Sequence, residues 1–508
     1  MALTAEPAVS VVVAVVLVGA VLAHRGSSGG WGTARGGGAA RTRGARWATR
    51  AEVAPLATPG PGRIRLGTAL RGGLGPRALW TERAQSVAVI GPTQSGKTTA
   101  LAVPAILGWE GPVVAASVKA DLVSNTEHWR RSLGTVWCFD PAGATGRPAS
   151  GWSPLPAART WAGARRVAAD LTEVARSPAT TGDGEFWYAT AAKLLAPLLF
   201  AAATGGATMD DVVRWVDTQE VAEVLGLLES AGVEEAIWAA RATWQRDDRQ
   251  RSSVYTTAET VLEPLVGGTA CSSGESVIDP DELLVGTHTL YLCAPAHDQR
   301  RLRGVFVALV KQVLEAAFTK ASRSGPLDPP LLVVLDEAAH IAPVAELDGL
   351  AATCAGHGIQ LVTVWHDLAQ ITARYGPRAP TVLNNHRARL FLSGIADPGT
   401  LEHASMLVGE EEVSVGSLTR DGSGGRSTTM STHRRRLLPP EALRQLPRGT
   451  GVLIYGERPP IRLRLDPWWN DRRLAGRGHA ESPALSPGAT RHGRPLKGNS
   501  RQGWASGE

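Results

Sequence analysis

The string Gly91-Pro92-Thr93-Gln94-Ser95-Gly96-Lys97-Thr98, followed by Thr99, sets two glycines five residues apart just before a lysine and a hydroxyl residue. An apolar run, SVAVI (86–90), precedes it, and a helical stretch begins at about residue 96. This is the pattern of a phosphate-binding loop between a strand and a helix. The glycines let backbone N–H groups wrap an anion, and the helix N-terminus adds positive dipole. The lysine reaches the β- and γ-phosphates, and the hydroxyl ligates Mg2+. The chain uses six lysines against 47 arginines, yet a lysine stands here; a compact ammonium suits the role better than a planar fork. Residues 91–99 are therefore the candidate ATP-binding segment. Lys97 is also a candidate catalytic group and Thr98 a candidate metal ligand.

A second constellation lies in LLVVLDEA (331–338), an apolar run ending in Asp336 and Glu337. A buried strand tolerates such charges only at its C-terminal tip, where α/β sheets open their ligand crevice. Asp336 is assigned to the Mg2+ shell, and Glu337 to orienting or deprotonating an attacking water. Alone, the pair would suit an ordinary helix cap; beside a phosphate loop it implies Mg-ATP binding and hydrolysis. The run IQLVTVW (359–365) ends in His366, a candidate catalytic sensor of the γ-phosphate or else a loop histidine facing solvent. Lys119 and Asp121 follow another strand and are open to the same two readings. Asn384, Asn385, Arg387 and Arg389 are weaker candidates: one arginine could serve a phosphate across a subunit boundary, but a solvated strand end is the simpler reading.

These groups need a scaffold that brings several strand tips to one edge. Strands are expected at 86–90, 112–117, 135–139, 287–294, 331–338, 359–365, 387–394 and 450–456, most of them alternating with helical stretches. That alternation predicts a parallel sheet with covering helices. Residues 156–270 lose the strand runs and become rich in Ala, Leu and Trp at helical spacing, as in Trp187, Ala191, Leu194, Leu195, Leu198 and Leu199. Tryptophans 187, 215, 238 and 244 are expected to pack the core of this insert, RATWQRDDRQR (241–251) to form a solvated helix face, and 416–433 to be a Gly/Ser/Arg loop. The division drawn is a membrane anchor (1–23), a Gly/Arg-rich linker (24–50), an ATPase domain in two parts (51–155 and 275–469), an all-α subdomain (156–274) and a disordered basic tail (470–508).

Composition narrows the class. With 43% hydrophobic residues in 508, the chain has ample material for a large core and is not wholly disordered. Cysteines 138, 271, 293 and 354 show no CxxC spacing, which excludes a disulfide scaffold and gives no zinc pattern. The net charge of +6 invites a nucleic-acid reading, but its location argues otherwise. Residues 24–50 hold six arginines and no acid, and residues 470–508 hold seven basic groups against three acids. The body between them is slightly acidic. The uncharged run 7–23 would span about 25 Å as a helix. Glu6 and the missing basic start argue against a cleaved signal. The arginines on its C-terminal side place the bulk of the chain in the cytoplasm.

The segments ARWATRAEVAPL (45–56), VAVIGPTQSGKTTALAVPAIL (87–107), PVVAASVKADLVSNT (112–126), VWCFDPAG (136–143), VVLDEAAHI (333–341), GIQLVTVWHDLAQITARYG (358–376) and RARLFLSGIADPGTLEHAS (387–405) resemble, in order, the TraG/TraD-type coupling ATPases of type IV secretion. The resemblance implies a RecA-like P-loop NTPase domain with an inserted all-α subdomain, preceded by N-terminal membrane helices and assembled as a hexamer. It implies ATP and Mg2+ as cofactors, a relaxase-linked single DNA strand as cargo, and secretion-channel proteins as partners. Lys97, Thr98, Asp336 and Glu337 take the nucleotide roles argued above. Three departures stand out: one predicted span where many members have two, His366 where the family usually has glutamine, and Gly356-His357 where an Arg-Lys pair is common. Two other readings stay open: an FtsK-like double-stranded DNA translocase or protein-secretion ATPase, and a nucleotide-gated substrate receptor without motor activity.

Overall fold

The computed structural model describes residues 44–478 except 71–75, 176–182, 267–276, 342 and 421–425. The predicted anchor at 7–23 lies outside these residues, as do most of the linker and tail. Thirteen strands are described: β1 Arg65–Ala69, β2 Arg77–Trp80, β3 Val87–Ile90, β4 Val113–Ser117, β5 Val136–Phe139, β6 Thr289–Cys293, β7 Leu331–Leu335, β8 Ile359–Trp365, β9 Ala388–Leu392, β10 Glu410–Arg420, β11 Arg426–Arg436, β12 Thr450–Tyr455 and β13 Ile461–Arg464.

Eleven of them form one sheet in the order β2-β1-β13-β12-β9-β3-β8-β7-β4-β6-β5. From β9 to β5 every pairing is parallel, whereas β12, β13, β1 and β2 extend the sheet antiparallel. The parallel strands are covered on both faces, which is why they read as unbroken apolar runs. Alternation still sorts their side chains: Leu331, Val333 and Leu335 of β7 enter one core, Leu332 and Val334 the other. Each such fully buried side chain contributes about 1.5–3 kcal/mol.

Between β5 and β6 the chain leaves the sheet; the described residues there include the helices Trp161–Ala175, Asp183–Gly205, Met209–Asp217, Ala222–Ala231, Glu234–Trp244 and Asp248–Leu262, and a short one, Pro280–Leu283. Asp183–Gly205 packs against the other five long ones, and its Ala191, Leu194, Leu195, Leu198 and Leu199 are wholly buried. Residues 185–205 are long and apolar enough to cross a membrane, but 61% of that window is buried among its neighbours. Trp215 is buried and Trp187 and Trp244 pack at the core's margin, but Trp238 is exposed, contrary to expectation. The segment 241–251 is also not one helix face. It breaks after Trp244, and Asp247 caps the next helix by accepting from the Gln250 N–H at 3.0 Å.

Three further stretches differ from the sequence reading. The loop expected at 416–433 lies largely in the ribbon β10–β11, whose base pairs Glu410, Glu411 and Glu412 with Arg436, Arg435 and Arg434. Opposite charges facing across the strands fix that register. Residues expected in the linker are tied down: Ala45 N–H donates to Glu410 O, and Arg462 stacks over Trp47 at 4.3 Å. Packed structure also continues past residue 470, where Leu474 is buried in the short helix Arg472–Ala475.

At the sheet edge opposite the phosphate loop, Arg130 is fully buried without a carboxylate partner. It donates to the carbonyls of Trp109 (2.7 Å), Gly111 (2.8 Å) and Thr287 (2.8 Å) and to the Thr289 hydroxyl (2.7 Å), joining the segments that lead into β4 and β6. Burial pushes its pKa down to about 10. Replacing Arg130 by Met would leave several buried carbonyls unpaired. The expected cost is about 3 kcal/mol, read as a lowered midpoint in urea unfolding; an unchanged midpoint would contradict this role.

Candidate functional site

Strands β3, β8 and β7 are neighbours, so their C-terminal tips carry the phosphate loop, His366 and the Asp336–Glu337 pair side by side. The loop leaves β3 at Gly91, whose N–H donates to Trp365 O of β8 at 3.1 Å. A Cβ at Gly91 would lie 2.8 Å from Leu392 Cβ, so only glycine fits. Gln94 and Gly96 adopt φ of 60° and 93°, curling the backbone around the space in front of Lys97. The helix expected from about residue 96 opens as a π-turn, Thr98–Ala102, before the α-helix Val103–Gly108.

Lys97 is only 7% exposed. Its Nζ donates to Gly91 O at 2.5 Å and Pro92 O at 2.7 Å and lies 3.5 Å from His366 Nδ1. Burial pushes its pKa down to about 8, against the opposing pull of Asp336 and Glu337. Thr98 Oγ1 donates to Asp336 Oδ2 at 2.9 Å. Asp336 is 5% exposed, and desolvation pushes its pKa up to about 6, with the Thr98 bond acting the other way. The two groups assigned to Mg2+ are thus already in contact. Mg2+ takes few protein oxygens beside phosphate and water, and a half-buried hydroxyl next to a buried carboxylate fits that donor set. Among the described residues no cluster of three or more His, Cys, Asp or Glu offers a competing metal site.

Glu337 has φ 65°, a conformation that costs a non-glycine residue about 1–3 kcal/mol. Its neighbours impose it: Asp336 N–H donates to Ala116 O of β4, and Ala338 N–H donates to Val364 O of β8. Pinned on both sides, the Glu337 side chain reaches within 3.7 Å of His366 Nε2. Burial and then Lys97 hold His366 below the usual imidazole pKa, so it is neutral near pH 7. Behind it the His366 N–H donates to Gln370 Oε1 at 2.9 Å, and Gln370 Nε2 lies 3.4 Å from His340 Nε2. His340 was not singled out from the sequence; its place three residues beyond Glu337 was the one available sign.

Lys97, Thr98, Asp336, Glu337 and His366 open onto one cleft of about 1380 Å³, which the rest of residues 93–99, Lys119 and Asp121 also line. The strand-tip reading of Lys119 and Asp121 therefore places them beside the phosphate loop. Asp121 accepts from the Leu122 N–H at 2.9 Å, and burial raises its pKa. Arg387 and Asn385 do not join them. Arg387 precedes β9 at the opposite sheet edge, where it pairs with Glu82 and Glu457 and stacks over Tyr455. Asn385 donates to Asp348 O. Sequence reasoning missed the far wall of the cleft, formed by Arg65, Thr68, Arg448, Arg464, Asp466 and Trp469. Its strands are four or five residues long, and its contacts join positions some 400 residues apart, such as Thr68 Oγ1 to Asp466 Oδ2 at 2.6 Å.

Comparison with known proteins agrees with this arrangement. The chain is 25% identical over 403 residues to the conjugal transfer protein TraG of Escherichia coli, covering 72% of this chain and 62% of that one. It is 23% identical over 407 residues to the protein VirD4 of Rhizobium radiobacter, covering 76% and 57%. It thus spans less than two thirds of the length of these curated relatives. Among solved structures, the unbound bacterial conjugative coupling protein TrwB superposes with a TM-score of 0.63 at 19% identity, covering 84% of this chain and 93% of that one. TrwB in complex with ADP and Mg2+ gives 0.62 at 20% identity, covering 85% and 96%. At that identity the likeness establishes the shared fold. The model of the type IV secretory system conjugative DNA transfer family matches residues 53–489, and the chain belongs to that family.

Proposed function

We propose that this chain is a membrane-anchored coupling ATPase that binds DNA, a relaxase-linked single strand, and moves it to a type IV secretion channel as a hexamer driven by ATP hydrolysis. The observation that carries the reading is the convergence of Lys97, the Thr98–Asp336 contact, Glu337 and His366 on three adjacent strand tips. The relatives' names, concerned with conjugal transfer, and the TrwB complex with ADP and Mg2+ support it.

The residues divide the work. Backbone N–H groups of residues 93–98 and the Lys97 ammonium bind the triphosphate, and Lys97 exchanges its loop carbonyls for phosphate oxygens. Thr98 and Asp336 would hold Mg2+, which supplies charge neutralisation on the outer phosphates when bound. Glu337, fixed in angle by its strained backbone, takes a proton from the attacking water. His366, neutral and between Lys97 and Glu337, donates a hydrogen bond where charge develops on the γ-phosphoryl group. The apolar run at 7–23 anchors the chain, and the arginines after it lie against anionic headgroups.

ATPase rates with and without single-stranded DNA test the motor. Lys97→Ala is expected to abolish ATP binding and turnover and to reduce DNA transfer between mating cells to background. Glu337→Gln should keep ATP affinity within about threefold and lower kcat at least about 100-fold. A wild-type chain that hydrolyses no ATP, or a Glu337→Gln variant at full rate, would leave the receptor reading instead.

The pH profile follows from the two buried charges. Asp336 must be ionised to hold Mg2+, so affinity for Mg-ATP falls as pH drops through about 6. Lys97 must be protonated, so affinity also falls as pH rises through about 8. A bell-shaped binding profile with those limbs is expected by calorimetry, and a flat one between pH 5 and 9 would contradict it. For the anchor, deleting residues 1–23 should move the chain from the membrane pellet to the soluble fraction; an unchanged pellet would reject that span.

A further inference from the structure

The far half of the cleft has no role in the chemistry described above. Strand β3 divides the crevice. Asp336 and Glu337 of β7 and His366 of β8 stand on one side. On the other, beyond β9, stand Arg448 and Gly449 before β12, Arg464 to Asp466 at the end of β13, and then Trp469 and Asn470. A triphosphate whose γ end faces Glu337 must point its other end away from Glu337, toward that second wall.

The second wall is built and held in place. Both carboxylate oxygens of Asp466 are occupied: Thr68 Oγ1 (2.6 Å) and Arg65 Nη2 (3.1 Å) donate to Oδ2, and Arg464 Nε (2.8 Å) donates to Oδ1. Arg65 also pairs with Asp471 at 2.6 Å, tying the segment after β13 to β1. Arg464 is half exposed, and its terminal nitrogens are left for a ligand once Nε is committed. Trp469 is 47% exposed, yet its ring is not loose: it packs edge-on, at 5.7 Å and 78°, against Trp468, which is 2% exposed and part of the core. An indole held against the core and a half-exposed guanidinium lining the same wall supply a stacking face and donors for sugar oxygens.

We infer that this wall is a nucleoside subsite, in which Trp469 stacks on the base and Arg464 hydrogen-bonds the ribose. The inference rests on the nucleotide reading of the P-loop and extends it to residues outside any phosphate-binding motif. Because stacking accepts any base face, the subsite adds affinity for a nucleoside triphosphate over bare phosphate without strong choice among bases.

The test compares ATP with inorganic tripolyphosphate, which lacks the nucleoside, by calorimetry on the full-length chain with Mg2+. Wild type should bind ATP more tightly than tripolyphosphate. Trp469→Ala should weaken ATP about tenfold and leave tripolyphosphate unchanged, and Trp469→Phe should recover most of the loss. Unchanged ATP affinity in Trp469→Ala, or equal weakening of both ligands, would overturn the subsite. A wild-type chain that binds neither ligand would overturn the nucleotide reading and the subsite with it. If wild type binds both, Lys97→Ala binds neither and Trp469→Ala matches wild type, the P-loop reading survives and the subsite alone falls.

Discussion

Two opposite charges held out of water at the tips of β3 and β7, on either side of β8, set the terms for the rest of this structure. Lys97 and Asp336 are each more than nine-tenths buried, yet Lys97 is bound by loop carbonyls and Asp336 by the Thr98 hydroxyl. Burying charge is expensive unless it is compensated, and both groups carry the mark of that cost in displaced pKa values. A site of this kind is matched to a ligand that brings a cation to the carboxylate and anionic oxygens to the ammonium together. The wide parallel sheet meets the cost: its two apolar cores fix β3, β7 and β8 firmly enough to keep the tips in place.

The same rigidity explains Glu337. Its left-handed backbone follows from hydrogen bonds on either side, one to β4 and one to β8, and so from strand pairing rather than from any preference of its own. The strain is located where a side chain must point at the phosphate end of the cleft instead of following the strand's pleat. Sheet order and catalytic geometry are therefore one constraint.

Much of this was legible in the sequence because the informative signals are local. Gly91 to Thr98 fall within one turn, and Asp336–Glu337 end an apolar run that could only be a buried strand. The charge distribution likewise separated the basic flanks from the near-neutral body. What stayed hidden was non-local or weakly patterned. Strands β1, β2 and β13 are short and contain Arg65, Gly67, Arg77 and Arg462, and β1 pairs with β13 from the other end of the chain. The ribbon β10–β11 packs outside the main sheet, so it shows no apolar alternation; its signal was the acidic triplet 410–412 facing the basic triplet 434–436. Trp238 is expected in the core only because tryptophans usually pack there, yet it is exposed, which composition alone does not reveal.

The cleft and the helical insert are joined by a series of side-chain contacts. The helix Leu368–Tyr375, which starts just after His366, is fastened to the segment after Glu337 by Arg374 Nη2 to Pro343 O (2.8 Å), Tyr375 Oη to Val344 O (3.0 Å) and the Gln370–His340 contact. His366 and Glu337 thus sit on segments tied to each other. The segment after Glu337 runs on to Glu346, whose carboxylate lies 3.3 Å from Lys311 Nζ. Lys311 also holds Asp170 (2.8 Å) and Glu173 (2.9 Å) on the first helix of the insert. One lysine on the helix Gln299–Ser324 therefore gathers three carboxylates from two sides of the molecule. Removing it would leave three like charges facing one another, so the cluster resists separation of the insert from the segment after β7.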